Sequence, residues 1–168
     1  MYSWTESLRS GFVHQYDGVG ISARGDLLIA VYGADASLPR SVWLFGAAEK
    51  LITQSGRSIQ ALLIVPPGTK PPDSATRDAE SAAYRRFGSK LRRVVAVPEG
   101  GGFRVSVVRM VFYAHAAVTG SPRTFMLAKD LNEAVGLLHQ TGTDRTPSAE
   151  QIAADIINVR AELNKSRC

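Results

Sequence analysis

The sequence predicts an α/β fold, in which helices cover a sheet of mainly parallel strands. Residues 94–118 carry this prediction, because an apolar strand is followed by Pro98-Glu99-Gly100-Gly101-Gly102 and then by a mostly apolar helix. Strands that are apolar on both sides require a sheet whose faces are covered. From Leu27 onwards, further apolar segments alternate with helical patterns on either side of this unit.

Length and composition fit one globular domain with short appendages. The chain has 168 residues, of which 45% are hydrophobic and 21% are charged, enough for one full-sized core. We expect a flexible amino-terminal tail over 1–11, the α/β domain over 12–140, a polar linker over 141–147, and a carboxy-terminal helix and tail over 148–168.

Charge and cysteine content bear on partners and location. The net charge of +5 favours an acidic partner or serves solubility. Cys168, the single cysteine, cannot form an internal disulfide, which suits a reducing compartment. Residues 1–7 lack a basic leader, and no stretch approaches the roughly 20 apolar residues of a membrane span. We therefore expect a cytoplasmic protein that does not bind membranes.

The first third of the chain predicts an antiparallel opening to the sheet. Strands over 12–16 and 19–23 flank Asp17-Gly18, a dipeptide suited to a tight turn. Arg24-Gly25-Asp26 resembles an adhesion motif, but without a secretion signal we interpret it as a second turn. The strand over 27–32 is continuously apolar, which places it inside the sheet.

The middle of the chain predicts two helices around a buried strand. The first helix spans 40–55 and ends at Gly56, the strand spans 59–65, and a loop with four prolines follows. The second helix, 73–90, begins at Asp73 or Ser74, which are good caps. A strand over 94–97 and a helix over 102–118 complete this part.

The last part of the chain predicts a short strand over 123–128 and a helix to residue 138, capped by Asp130 or Asn132. A final helix over 147–164 starts with a capping box of Ser148 and Gln151. Its apolar stripe must be covered by this chain's own sheet or by a second copy, and we expect a homodimer. The stripe consists of Ile152, Ile156, Val159 and Leu163.

No catalytic constellation is present in the sequence. His14, His115 and His139 lack a Cys, Asp or Glu at metal-ligand spacing, so we expect structural histidines and no metal. The sequence contains neither a Gly-x-Ser-x-Gly elbow nor a Gly-Lys-Ser/Thr phosphate loop. We therefore expect neither an enzyme nor a bound cofactor.

The segment from Glu99 through Gly100, Gly102 and Phe103 to Arg104 is the strongest local signal. Its glycines permit close backbone approach, and the helix behind it offers amides to an anion. Val105 stands where a dinucleotide motif needs its third glycine, and Glu99 repels phosphate. We interpret the segment as a loop that contacts a protein. The alternatives are an anion- or nucleotide-binding loop, an enzyme loop, or a plain turn.

The start of the second helix supplies the other candidate residues, Ser74, Thr76 and Arg77. A phosphate on Ser74 would meet helix amides and Arg77, although an ordinary helix cap explains the same residues. A basic set follows, which we interpret as a solvated helix face rather than a nucleic-acid site. The set consists of Arg77, Arg85, Arg86, Lys90, Arg92 and Arg93.

The order of elements resembles the STAS domain of anti-sigma-factor antagonists. Residues 59–67, the proline-rich loop and residues 95–109, with Glu99-Gly100-x-Gly102-Phe103-Arg104 and Arg109, resemble uncharacterised STAS-like bacterial proteins. The resemblance covers about residues 18–139. It implies a mixed sheet of four to five strands with alternating helices mostly on one side.

The resemblance also implies a non-enzymatic role in signal transduction, through binding of a kinase, phosphatase or other regulator. Its switch serine lies in an Asp-Ser-Ser/Thr-Gly pattern at the start of the second helix. Asp73-Ser74 matches, but Ala75 follows, so we expect Ser74 to stay unphosphorylated. We expect the partner to bind where Ser74, Thr76 and Arg77 meet the segment from Glu99 to Arg104, at the carboxyl rim of the sheet.

Overall fold

A computed structural model describes residue 8, residues 10–100 and residues 123–166. Within these residues the chain forms six strands and four α-helices. The strands are β1 (Val13–Tyr16), β2 (Val19–Arg24), β3 (Leu27–Tyr32), β4 (Ile59–Val65), β5 (Leu91–Pro98) and β6 (Phe125–Leu127). The helices are α1 (Leu38–Ser55), α2 (Ser74–Phe87), α3 (Leu131–Gln140) and α4 (Ala149–Lys165), with a short 3-10 turn over Gly88–Lys90.

All six strands join one mixed sheet in the order β1-β2-β3-β4-β5-β6. The first three strands are antiparallel, and β3 to β6 run parallel. The α/β class is therefore confirmed. The strand number is slightly higher than the four to five expected, because each of the six apolar segments in the sequence forms its own strand.

Local signals set most element boundaries. Asp17 and Gly18 both have positive φ angles, 46° and 81°, as the tight turn between β1 and β2 requires. Gly56 ends α1 in a left-handed conformation. The side chains of Asp73, Asp130 and Ser148 cap α2, α3 and α4, and Gln151 completes the capping box of α4.

Two helices cover each face of the sheet. On the first face, α1 and α2 bury Trp43, Leu51 and Phe87 against the strands. On the second face, α3 and α4 bury Leu138 and Ile152 among their apolar residues. The resemblance implied helices mostly on one side, and the described helices instead divide between both faces. The helix predicted over 102–118 lies outside the described residues.

Helix α4 docks on the sheet of its own chain. Its whole predicted stripe is buried against the second face, with exposures of 0% at Ile152, 5% at Ile156, 0% at Val159 and 6% at Leu163. Gly20 in β2 allows this approach, since a Cβ there would lie 2.6 Å from Val159 Cγ1. The apolar stripe that favoured a homodimer is thus covered within one chain. A dimer stays a prediction for light scattering to test.

The linker before α4 closes the amino edge of the sheet. Asp26, which is 3% exposed, pairs with Arg92 and accepts hydrogen bonds from Thr143 Oγ1 at 2.9 Å and Thr146 Oγ1 at 3.1 Å. Thr141 Oγ1 donates to Gln60 Oε1 at 3.0 Å. The linker, polar and without apolar residues, is therefore fixed by buried polar groups of the sheet.

Each residue of the Arg24-Gly25-Asp26 turn has an internal role. Arg24 binds Asp155 of α4, and Asp26 binds the linker. Gly25 has a φ of +61°, and the Arg145 carbonyl lies so close that a Cβ on Gly25 would be 1.9 Å from its oxygen. The structure thus uses this tripeptide as a turn, as the sequence predicts.

Candidate binding cleft

A cleft of about 430 Å³ opens at the carboxyl edge of the parallel strands. Its sheet side is formed by residues 31–35 at and after the end of β3, residues 66–69 after β4 and Glu99 after β5. Arg160, Leu163 and Asn164 of α4 form its other wall. Ligand sites of open α/β sheets commonly lie outside the carboxyl ends of the strands, and small-molecule pockets commonly measure about 300–1,000 Å³.

Short polar contacts hold the two loops of the cleft together. Asp35 Oδ1 accepts the backbone N–H of Lys70 at 2.8 Å, which ties the loop after β3 to the proline-rich loop. Arg40 Nη1 donates to the Asp35 carbonyl at 2.7 Å. Thr69 Oγ1 donates to the Pro66 carbonyl at 2.9 Å, and Gly68 between them has a positive φ of 91°. Prolines and these bonds limit the loop's freedom.

Glu99 and Arg160 form an ion pair at the cleft wall. The Arg160 Nη2 group donates to Glu99 Oε1, and the backbone N–H of Glu99 donates to the Val65 carbonyl at 2.8 Å. The side chains are 37% exposed at Glu99 and 45% at Arg160, so water and small solutes reach both. Gly100 follows with a φ of +86°, packed so that a Cβ would lie 3.0 Å from Pro67 Cβ. The ion pair joins β5 to α4 beside the cleft.

The cleft combines both signs of charge with a small apolar area. Asp35 and Glu99 supply carboxylates, and Arg160 supplies a guanidinium. Lys70 Nζ lies 3.8 Å from Asp35 Oδ2, with its side chain 81% exposed. Val31 and Leu163 add apolar surface. These groups fit a small polar solute with an aliphatic part.

The candidate residues at the start of α2 do not line this cleft. Ser74 and Arg77 are exposed, and Arg77 Nη1 donates to the Pro72 carbonyl at 2.9 Å. Thr76 is fully buried, so its side chain cannot meet a partner. Its side chain and its backbone N–H, 2.8 Å from Asp73 Oδ1, hold the pKa of Asp73 below its usual value.

The predicted rim is therefore only partly brought together. Glu99 lies in the cleft wall and Gly100 beside it, while Ser74 and Arg77 are presented separately at the start of α2. The remaining members, Gly102, Phe103 and Arg104, lie outside the described residues. His115 also lies outside them.

The basic set divides between surface and interior. Arg85, Arg86 and Lys90 are exposed, and Arg86 pairs with Glu49 at 2.6 Å. Arg92 instead binds Asp26, and Arg93 is 8% exposed with Nη1 donating to the Leu137 carbonyl at 2.8 Å. Burial lowers the pKa of Arg93. Both arginines belong to β5, which starts at Leu91, three residues before the predicted strand.

Sequence reasoning missed Asp35, Arg160 and Asn164 as cleft residues. Asp35 carries a usable signal, because it follows the apolar strand β3 at the edge where such folds bind ligands. Arg160 and Asn164 carry none, since their position depends on how α4 docks. His139, expected to be structural, donates from Nε2 to the Pro147 carbonyl at 3.0 Å.

In the part of the chain that the structure describes, no group of three or more His, Cys, Asp or Glu residues is placed to hold a metal ion. None of the helices in that part has the length and apolarity needed to cross a membrane. No family model matches the chain, and no match was found among curated proteins or solved structures. The resemblance to STAS domains stays a prediction.

Proposed function

We propose that this chain is a non-enzymatic regulatory module that binds a small polar ligand at the carboxyl edge of its sheet. The observation that supports this proposal is the cleft of about 430 Å³ between the strand ends and α4. The loops after β3 and β4 that line it are held by backbone and side-chain contacts, so binding need not first order either of these two loops. We expect α4, which forms one wall of the cleft, to respond when the ligand binds.

A titration followed by ¹H–¹⁵N NMR tests this proposal. A panel of small polar metabolites is added to the chain, and a binder should shift the amide signals of Gly33, Gly68 and Gly100. Asn164→Trp should fill the cleft and abolish these shifts. Asn158→Trp is the matched control, because Asn158 is also exposed on α4 but does not line the cleft. Shifts that persist in Asn164→Trp, or a panel without any binder, would refute the proposal.

A protein partner is a second candidate function, as the sequence suggested. The supporting observation is that Ser74 and Arg77 are exposed at the start of α2, which follows the carboxyl end of β4. Ser74→Arg should block a partner that docks there. Ala82→Arg is the control, because Ala82 is exposed farther along the same helix. A partner captured equally well by wild type and Ser74→Arg would exclude this surface as its binding site.

A further inference from the structure

We propose that the ligand of the cleft is a zwitterion, a free amino acid with an aliphatic side chain. This inference rests on the proposed function and names the chemical class of the ligand. Its basis is the Glu99–Arg160 ion pair, which presents a negative and a positive group side by side at the cleft wall. An amino acid carries an ammonium and a carboxylate on one carbon atom. Its carboxylate can lie against Arg160 while its ammonium lies against Glu99.

The ion pair leaves binding capacity on both partners. Arg160 uses only Nη2 on Glu99, and within the described residues its Nε and Nη1 groups donate no hydrogen bond. Glu99 accepts through Oε1, and Oε2 accepts none from those same residues. A ligand carboxylate can therefore bind the unused guanidinium N–H groups while its ammonium binds Glu99. Both contacts are charge-assisted, which makes them stronger than neutral hydrogen bonds.

The charge balance of the cleft argues against ligands of a single sign. A phosphate or simple carboxylate would approach both Asp35 and Glu99, and among the described residues that line the cleft Arg160 is the single cation to attract it. A simple amine would face Arg160, and Oδ1 of Asp35 already accepts the backbone N–H of Lys70. A zwitterion satisfies Arg160 and Glu99 together without leaving either charge opposed.

The remaining surface selects the side chain of the ligand. Val31, Leu163 and the prolines Pro66 and Pro67 line the cleft and supply a small apolar area beside the charged pair. The volume of about 430 Å³ is near the low end for small-molecule pockets, which suits a single amino acid better than a nucleotide. The site is open and its ion pair is half exposed, so we expect exchange on and off without a large rearrangement.

Matched compounds test the charge requirement on the wild-type chain by NMR titration. The probes are L-leucine, 4-methylpentanoate, which lacks the ammonium, 3-methylbutan-1-amine, which lacks the carboxylate, and inorganic phosphate. Leucine should shift the amides of Gly33, Gly68 and Gly100. Each single-charge analogue should bind at least about tenfold more weakly, because one charged hydrogen-bond partner is missing. Leucine that binds no better than either analogue or phosphate would overturn the inference.

Variants test the two assigned residues separately. Arg160→Gln and Glu99→Gln should each weaken leucine binding at least about tenfold. Glu162→Gln is the control, because Glu162 pairs with Lys165 on the same helix but does not line the cleft, and it should leave binding unchanged. If Glu99→Gln instead tightens leucine binding, Glu99 only competes for Arg160 and the site recognises anions, which overturns the inference.

The same titrations separate this inference from the proposed function. If leucine gives no shifts but another compound shifts the cleft amides, the amino-acid assignment fails and the binding function stands. If no compound of the panel shifts them, both fail. Amide spectra of each variant without ligand show whether it is folded, so a loss of binding cannot be mistaken for unfolding.

Discussion

The guanidinium of Arg24 binds both carboxylate oxygens of Asp155, with Nε to Oδ2 and Nη2 to Oδ1 each at 2.8 Å, across 131 residues of sequence. The Asp155 side chain is 1% exposed, whereas that of Arg24 is 31% exposed. The hydrogen bonds that Arg24 donates to Asp155 raise the pKa of Arg24. This bidentate contact joins the end of β2 to the buried face of α4. Its two residues differ in their access to water, because Asp155 lies on that buried face and Arg24 does not.

Unequal burial predicts unequal costs of removing either partner. Arg24→Gln leaves a buried carboxylate without its cation and should lower the free energy of unfolding by about 3–5 kcal/mol. Asp155→Asn keeps an acceptor for Arg24, which reaches water, and should cost only about 1–3 kcal/mol. Urea unfolding of both variants measures the difference. A larger loss for Asp155→Asn would show that Arg24, rather than Asp155, is the poorly solvated partner.

Gly25 and Gly56 form a natural pair for testing the contact between the β2–β3 turn and the linker. Both have positive φ, +61° and +64°, but a Cβ on Gly56 meets no atom within 4 Å. Gly56→Ala should therefore cost only about 1 kcal/mol of backbone strain. Gly25→Ala must also displace the Arg145 carbonyl and should cost at least about 2 kcal/mol more. Thermal unfolding compares the two, and equal losses would argue against the close contact.

Asp26 is expected to hold the linker over 141–147 in place. Asp26→Asn removes the charge that Arg92 and two threonine hydroxyls share, so we expect a loss of about 2–4 kcal/mol and faster hydrogen exchange in the linker. Asp144→Asn makes the same change at an exposed position of the linker and should stay within about 0.5 kcal/mol of wild type. Unchanged exchange in Asp26→Asn would mean that other contacts fix the linker.

Tyr32 and Tyr84 predict a loss of stability in alkaline solution. Removal from water and the charge of Glu80 raise the pKa of both phenols. The folded state therefore keeps its phenol protons above pH 10, where unfolded tyrosine loses them. The contribution of the two phenols to the free energy of unfolding is complete below about pH 10 and is lost as the pH rises through their folded-state pKa. Unfolding measured from pH 8 to 12 should show this decline, and a Tyr32→Phe, Tyr84→Phe double variant should flatten it.

Ser74 should carry no phosphate in chain isolated from its own cells. The Asp73 carboxylate already caps α2, and its lowered pKa keeps it charged beside Ser74. A phosphate on Ser74 would add negative charge next to that carboxylate, which repels it. Peptide mass spectrometry measures the occupancy. A phosphopeptide spanning residue 74 would reverse this expectation and support the switch that the family resemblance implies.

The sequence was a good guide to elements whose signals are local. Alternating apolar segments predicted the strands, and Asp17-Gly18, Gly56, Asp73 and Ser148 acted as the turn and cap residues that their chemistry favours. These signals need only a few neighbouring residues. The strand count was too low because it followed the family resemblance instead of the six apolar segments.

Positions that depend on packing were harder to predict. Glu80 is 9% exposed and accepts a hydrogen bond from Ser41 Oγ at 2.8 Å, although charged residues on a helix usually face water. The sequence placed Arg92 and Arg93 in the solvated basic set, whereas both lie in β5, which is longer than the predicted strand. Asp35 and Arg160 are far apart in sequence and share a cleft only once α4 has docked. Contacts between residues so far apart produce no local pattern in the sequence from which they could be predicted.

During synthesis on a ribosome, β2 and β3 lack the cover that α4 gives to the second face of the sheet until residues 149–165 emerge. At about 5–20 residues per second, this interval after β3 lasts on the order of ten seconds. Until then, Leu27, Ile29 and Val31 lack the cover that α4 supplies in the folded chain. The nascent chain therefore completes its core only after nearly all of the described residues have been translated. Protection of β2 and β3 from aggregation until then is part of how the protein folds in a cell.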